Sequence, residues 1–344
     1  MNRTPALRTP ALRSPALRTP AFRTPVFRTA AVIGAGTIGL SWTTLFAAHG
    51  LTVRVSDPRE DLAEAVADAL ARYAPHLAAR GLDVRGLADR VHLAADVTEA
   101  VRDADVVQEN GPERVGFKQD LFAAVVREAP AHALLLSSSS AIPSTAFTGE
   151  LADEDAARVL IGHPFNPPHL LPLVEVVPGE RTREDAVQAA LDFYTFLGRT
   201  PVVERKEIPG FVGNRLQNAL SREAVHLVEQ GVVTPEDLDR VMTNSLGPRW
   251  ATVGPFLGAH LGGGPGGYRH LVAHIGASMG ALEDTPGRHP AQTPDQQERL
   301  IQAVEKAYGS STSSELAETR DRKQLAVLDA LDGATRTTTP KEEN

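Results

Sequence analysis

The sequence predicts an α/β fold, a doubly wound parallel sheet followed by an all-helical C-terminal domain. Three observations carry this. Short apolar runs alternate with helical periodicity from residue 30 to about residue 203, the pattern of βαβ units in a sheet covered on both faces. The first of those runs ends in a glycine-rich turn that opens a helix. Beyond Ile208-Pro209-Gly210, strand signals nearly vanish and apolar residues recur at helical spacing. The expected division is a sheet domain at 30–208, a helical domain at 209–332, and two disordered tails, at 1–29 and 333–344.

Composition narrows the function classes. The chain has 344 residues, 42% of them hydrophobic and 23% charged, enough for two ordinary domains with real cores. No apolar run approaches the roughly 20 residues that span a bilayer, so no membrane role is expected. Cysteine is absent, which removes disulfides, thiolate metal sites and thiol nucleophiles together. A chain that needs no disulfide is at home in the cytoplasm. The net charge of -8 argues against nucleic acid as a main partner. Residues 1–28 repeat a unit of the type RTPAL, with six arginines and no acid. Its prolines block a continuous helix, and the expectation is a disordered, polyproline-II-biased segment.

Ala30-Ala31-Val32-Ile33 reads as the first strand, followed at once by Gly34-Ala35-Gly36-Thr37-Ile38-Gly39 and a helical pattern at 40–49. Glycines there permit a tight turn and close approach of a pyrophosphate, which rests on the helix N-terminus. The second strand, 51–56, ends in Asp57, about 20 residues past the glycines, where a carboxylate accepts hydrogen bonds from the adenosine ribose. Asp57 would repel a 2′-phosphate, so NAD is favoured over NADP. Arg59 points the other way, because a nearby guanidinium can receive that phosphate. An Ala-rich helix at 59–80 and strands at 91–93 and 104–108 follow. The last runs into Glu109-Asn110-Gly111-Pro112-Glu113-Arg114, a polar loop at the edge where parallel sheets bind ligands. A helix at 116–127 and a strand at 133–136 lead to Ser137-Ser138-Ser139-Ser140. Those hydroxyls either cap the next segment or face a ligand.

The most informative stretch is Gly162-His163-Pro164-Phe165-Asn166-Pro167-Pro168-His169-Leu170-Leu171-Pro172-Leu173-Val174-Glu175. A Pro-rich turn separates two apolar runs that read as strands. If the second folds back beside the first, Glu175 can accept a hydrogen bond from one ring nitrogen of His163 and leave the other free to take a proton. A chance buried His beside a Glu is the bland alternative. Beyond it come a helix at 183–197, a strand at 201–203 and a helix at 211–230 that opens with Gly213-Asn214-Arg215-Leu216. Thr234-Pro235-Glu236-Asp237 starts another helix, interrupted at Leu246-Gly247-Pro248-Arg249-Trp250. The glycine cluster at 262–267 lacks the Lys-Ser/Thr of a phosphate loop and reads as a mobile loop. Final helices are expected at 294–308 and 314–331.

Three motifs, VIGAGTIGLSWTTLFAAHGLTVRVSD, GHPFNPPHLLPLVEVV and IPGFVGNRLQNALSREAVHLVEQG, together resemble the 3-hydroxyacyl-CoA dehydrogenase superfamily over residues 30 to about 331. The resemblance implies a Rossmann-type domain, a helical domain that dimerises, a cleft between them, NAD, a small-molecule substrate and no metal. Carried over onto this chain, His163 resembles the catalytic base and Glu175 its carboxylate partner. Ser140 resembles the contact to the substrate hydroxyl, with Ser139 as the alternative. Asn166 and Asn214 resemble substrate-positioning groups, Asn214 within the catalytic set. Gly34, Gly36, Thr37, Ile38, Gly39 and Asp57 would hold the cofactor, and Glu113 and Lys118 resemble further cofactor contacts.

Two features point to one branch. The helix at 59–80 has no lysine, where the fatty-acid enzymes carry lysines for the CoA phosphates. QENGPER, SSSS, GHPFNPP and LGPRW are more similar to the branch of L-gulonate 3-dehydrogenase (lambda-crystallin) and carnitine dehydrogenase, which act on small free acids. The expectation is oxidation of the C3 hydroxyl of a small L-3-hydroxy acid, with Arg249 gripping its carboxylate through paired hydrogen bonds. A helix-end arginine that merely caps carbonyls is the alternative for Arg249. For the whole chain the alternatives are the same chemistry on a 3-hydroxyacyl-CoA, and a noncatalytic NAD-binding protein of the crystallin kind.

Overall fold

The computed structural model describes residues 27–273, positions 295, 298, 299 and 302, and a C-terminal helix Ser313–Thr337. The Arg/Pro repeat of residues 1–26 and nearly all of the helix expected at 294–308 lie outside the described residues. Strands β1 (Thr29–Ile33), β2 (Thr52–Ser56), β3 (Val91–Leu93), β4 (Val106–Glu109), β5 (Leu134–Ser137), β6 (Val159–Pro164), β7 (Leu173–Pro178) and β8 (Thr200–Val203) form one sheet, ordered β3-β2-β1-β4-β5-β6-β7-β8. All neighbours are parallel except β6 and β7. The chain winds outward from β1 to β3 and then the other way from β4. The change of direction therefore falls between β1 and β4, where open parallel sheets bind ligands.

Burial on both faces follows from the two-residue period of a strand. Ala30 and Val32 enter one core with Trp42, Leu45 and Phe46 of α1 (Thr37–Ala48). Ala31 and Ile33 enter the other with Leu121, Phe122 and Val125. These belong to the helix between β4 and β5, α4 (Val115–Glu128), which follows α2 (Leu62–Ala79) and α3 (Val97–Val101). Short turns α5 (Thr145–Thr148) and α6 (Asp153–Ala156) precede β6. Helix α7 (Glu184–Phe196) joins β7 to β8 and returns Phe193 and Tyr194 to the first core.

The first strand starts one residue earlier than the sequence suggests. The backbone N–H groups of Arg28 and Thr29 donate to Asp105 Oδ2 at 2.7 and 2.9 Å, and the Phe27 ring packs edge-on against Phe193 at 4.9 Å.

After β8 the described residues contain no further strand. Helices α8 (Phe211–Glu229), α9 (Pro235–Asn244), α10 (Leu246–Thr252) and α11 (Pro255–Gly262) follow. Thr234 caps α9, its hydroxyl accepting the Asp237 N–H at 3.1 Å. The interruption expected at 246–250 is narrower in the structure, because only Ser245 breaks the helical path. Pro248 falls in the first turn of α10, where a missing N–H costs no intrahelical bond. The glycine cluster at 262–267, expected as a loop, contains a short helix. It closes a tight turn around the short helix Gly264–Gly266, and a Cβ on Gly263 would lie 1.8 Å from the Gly267 carbonyl oxygen. The C-terminal helix runs through Gly333 to Thr337, past the expected start of the polar tail. Arg80, just beyond α2, ties that helix to the sheet domain through Asp329 at 2.9 Å and Asp332 at 2.6 Å.

Candidate active site

The turn after β1 is built around backbone that only glycine tolerates. Gly34 has φ +92°, and a Cβ on it would lie 2.9 Å from the carbonyl of Asn110 at the end of β4. Gly39, inside α1, presses on the same turn: its Cβ would fall 1.8 Å from the Gly34 oxygen. Gly36 differs, since a Cβ there would meet nothing within 4 Å. Helix α1 has no side-chain cap and no acid in its first turn. The amides of that turn, which include Thr37 and Ile38, are thus left for an anion from outside. A dinucleotide fits this cradle.

Asp57 follows β2 and braces the turn. Its Oδ2 accepts the Ala35 N–H at 2.6 Å, and its Oδ1 accepts the Arg59 N–H at 2.9 Å. The Arg59 guanidinium grips Asp61 from Nε at 2.6 Å and from a terminal nitrogen at 2.8 Å, and donates to the Ala35 carbonyl at 3.1 Å. The group that could receive a 2′-phosphate is held by a carboxylate, so the arrangement agrees with NAD.

The four serines that end β5 and follow it divide cleanly. Ser137 donates to Glu109 at 2.5 Å, Ser138 to Asn110 at 2.7 Å and Ser139 to Glu113 at 2.6 Å. Ser140 is exposed, and no described residue bonds its hydroxyl. That separates it from Ser139, which is spent inside the protein. Glu113 Oε1 also accepts the amides of Ser140, Ala141 and Ile142 at 2.9, 2.8 and 3.2 Å. Burial would raise the Glu113 carboxyl, but the Ser139 hydroxyl, these amides and the Lys118 charge outweigh it and hold the carboxyl below its ordinary range. Lys118, expected to touch the cofactor, is turned inward. Its ammonium lies 2.9 and 2.8 Å from the two oxygens of Glu109, and both side chains are 1% exposed. Lys118 is thus no open ligand group and neutralises a buried acid, whereas Glu113 shapes the serine loop through Oε1 and keeps a side chain that is 38% exposed.

The turn between β6 and β7 does what its prolines suggest. It folds β7 back antiparallel, so that His163 and Glu175 are directly paired across the strands. His163 Nδ1 lies 2.7 Å from Glu175 Oε2, with the two residues 5% and 3% exposed. A carboxylate only accepts, so Nδ1 carries the proton, and Nε2 of the neutral ring keeps its lone pair. No described residue bonds Nε2. The other Glu175 oxygen accepts the Gly213 N–H from the first turn of α8 at 2.7 Å. Burial alone would raise this carboxyl; the bonds from His163, Gly213 and Glu204 hold it below the usual range. Beneath the strand, Tyr194 donates to Gln108 at 2.8 Å, and a Cβ on Gly162 would meet the Tyr194 hydroxyl at 1.9 Å.

Asn214 and Ser140 are brought together: the Asn214 amide donates to the Ser140 carbonyl at 2.9 Å, joining α8 to the serine loop. Asn166 is exposed on the turn after His163. Arg249 is exposed on α10, no ion pair among the described residues engages its guanidinium, and no contact links it to His163. Sequence reasoning missed two neighbours. Phe211 holds φ +49°, a conformation that costs roughly 1 kcal/mol or more outside glycine, and its ring sits 5.5 Å from that of His163. Glu204, behind Glu175, is the other.

A cradle for a dinucleotide and an imidazole with a free lone pair are what removal of a hydride and a proton from an alcohol requires, and the chain is an NAD-dependent oxidoreductase. It belongs to the 3-hydroxyacyl-CoA dehydrogenase family. The family's NAD binding domain matches residues 29–208 and its C-terminal domain residues 210–303. The chain is 40% identical over 299 residues to an L-carnitine dehydrogenase of Pseudomonas aeruginosa, spanning 87% of this chain and 92% of that protein. It is 39% identical over 311 residues to a 3-hydroxyacyl-CoA dehydrogenase of Gibberella moniliformis, spanning 90% and 96%. Among solved structures it is similar to 5-formyl-3-hydroxy-2-methylpyridine 4-carboxylic acid 5-dehydrogenase, an NAD+-dependent dismutase, with TM-score 0.73, 29% identity and coverage of 89% and 99%. It is also similar to the 3-hydroxybutyryl-CoA dehydrogenase of Escherichia coli K12, with TM-score 0.60, 28% identity and coverage of 80% and 56%. Among the described residues no helix is long and apolar enough to cross a membrane.

Proposed function

We propose that the chain oxidises the C3 hydroxyl of a small L-3-hydroxy acid of the carnitine, gulonate or 3-hydroxybutyrate type, with His163 as general base. The observation that carries this is the 2.7 Å bond from Nδ1 of His163 to Glu175, which leaves Nε2 open. NAD, when bound, supplies the acceptor for the hydride that leaves C3. Gly34, Gly36, Gly39, the amides of Thr37 and Ile38, and Asp57 hold it. His163 Nε2 takes the hydroxyl proton, and Glu175 stabilises the imidazolium that results. Ser140, kept in place by Glu113 and Asn214, offers its hydroxyl to the substrate oxygen, and Asn166 and Asn214 orient the remainder.

The free-acid reading rests on the lysine-free α2, on the exposed Arg249, which no ion pair among the described residues engages, and on likeness to relatives named L-carnitine dehydrogenase. Arg249 grips the substrate carboxylate. Arg249→Ala is expected to lower kcat/KM for free acids by about 10- to 100-fold, the worth of a charge-assisted bond, with NAD affinity retained. Initial rates on L-carnitine, L-gulonate, L-3-hydroxybutyrate and 3-hydroxybutyryl-CoA test it. Unchanged rates in the variant together with good turnover of the thioester would move the substrate to the acyl-CoA, the second reading, which the name of the Gibberella relative favours.

The protein acts as a homodimer in this reading. The helical domain exposes Leu216 at 64%, Leu261 at 61% and Phe256 at 77%, apolar side chains that a subunit contact would cover. Light scattering is expected to give twice the chain mass of 36.7 kDa. A mass of one chain at micromolar concentration would refute the dimer.

A further inference from the structure

Glu204 stands one residue past β8, its backbone N–H donating to Val176 at 3.0 Å. Register pairs Val202 with Glu175, and strand alternation brings Glu204, two residues on, to the same face. Two consecutive amides of the first turn of α8 then serve two different acids. Val212 donates to Glu204 Oε1 at 2.7 Å, and Gly213 to Glu175 Oε1 at 2.7 Å. Consecutive amides of one turn thus hold the two carboxyl groups side by side. Glu204 is 7% exposed, and its Oε2 is buried with no protein donor among the described residues.

If both groups were carboxylates, Glu204 Oε2 would be a buried charged oxygen with no donor among the described residues, because neither acid would have a proton to give. Like charges side by side in a buried site also resist joint ionisation. One proton is therefore shared, and the geometry decides which residue keeps it. Glu175 already accepts from His163 and from Gly213, and both bonds favour its charged form. Glu204 has one amide only. The remaining charges near it are Arg205, Lys206 and Glu207, which line the same cavity of about 730 Å³, and no ion pair among the described residues joins either cation to Glu204.

We propose that Glu204 is a positioning residue, a neutral carboxylic acid at neutral pH whose one proton is donated to Glu175, fixing that carboxylate toward His163 and tempering its charge. The direction of titration agrees: burial raises the Glu204 carboxyl, the Val212 amide opposes this, and Glu175 reinforces it. The structure gives Glu204 a place behind the base. The assignment rests on the role of His163 and Glu175 above, so its test includes a readout that needs no turnover.

Infrared difference spectra of the full-length protein at neutral pH, wild type against Glu204→Gln, are expected to show the carbonyl stretch of a protonated acid in the wild type only. Its absence would overturn the proposal whether or not the enzyme turns over any substrate. The pH profile of kcat/KM is the second reading. Glu204→Gln still offers a neutral donor, so the acid limb is expected to stay where the wild type has it. Glu204→Val removes the donor and leaves Glu175 more basic toward the imidazolium, so the limb is expected to move up by about one pH unit, about a tenfold loss on that limb. A downward shift in Glu204→Gln would mean that a negative charge had been removed, and would overturn the proposal. An unmoved limb in a folded Glu204→Val would do the same.

Discussion

His163→Gln is expected to lower turnover by about 10³-fold, within the range of a lost general base, while NAD affinity stays within about twofold. Glutamine keeps an N–H that can donate to Glu175, so the carboxylate is not stranded in its buried position. It has no nitrogen lone pair with which to take a proton. The ring stands beside Phe165 and Phe211, at centroid distances of 5.7 and 5.5 Å, and losing it costs packing as well. Thermal melts therefore accompany steady-state kinetics and a fluorescence titration with NAD. The acid limb of the profile supplies a further check. A protonated base cannot accept the hydroxyl proton, so oxidation by the wild type falls as pH drops. That dependence should disappear from the residual rate of the variant. A loss confined to NAD binding would show that the imidazole belongs to the cofactor site instead.

Much of this arrangement is legible in the sequence because it is local. The change from strand to helix around residues 34–39, and the acid that ends the next strand, are fixed by backbone needs within one βαβ unit. The His163–Glu175 pair is legible for a related reason: one proline-rich turn separates two strands, and antiparallel return leaves few registers. Lys118 shows where local reading stops. The resemblance implies a cofactor contact, yet its partner is decided by how α4 packs on β4, which turns the ammonium onto Glu109. Glu204 was hidden for the same reason, since its partners come from β7 and α8. Phe211 would be expected to behave as an ordinary first helical residue. Its left-handed φ runs against the propensity of phenylalanine, so no local pattern announces it. Arg249 depends on how the helical domain meets its substrate, which no local pattern encodes.

Gly39→Ala is expected to weaken NAD binding by on the order of 100-fold and to destabilise the protein by about 1–3 kcal/mol, the usual cost of overpacking. The argument turns on which atom the new methyl meets. At Gly39 it would fall 1.8 Å from the Gly34 oxygen, a backbone atom that no rotamer change can move. Gly34 cannot retreat, because its N–H donates to Ser56 at 2.9 Å and Asn110 crowds its other side. The turn and α1 must separate, and the amides that would face a pyrophosphate lose their common aim. Gly36→Ala is the control. A methyl there meets no protein atom within 4 Å, so the melting temperature should stay at the wild-type value while NAD affinity falls, since the methyl fills space a phosphate would occupy. Calorimetric titration with NAD and thermal melts on both variants separate the two effects. Should Gly39→Ala bind NAD as the wild type does, the glycine turn is not the cofactor cradle. Should Gly36→Ala bind equally well, the phosphate does not approach from the open side of the turn.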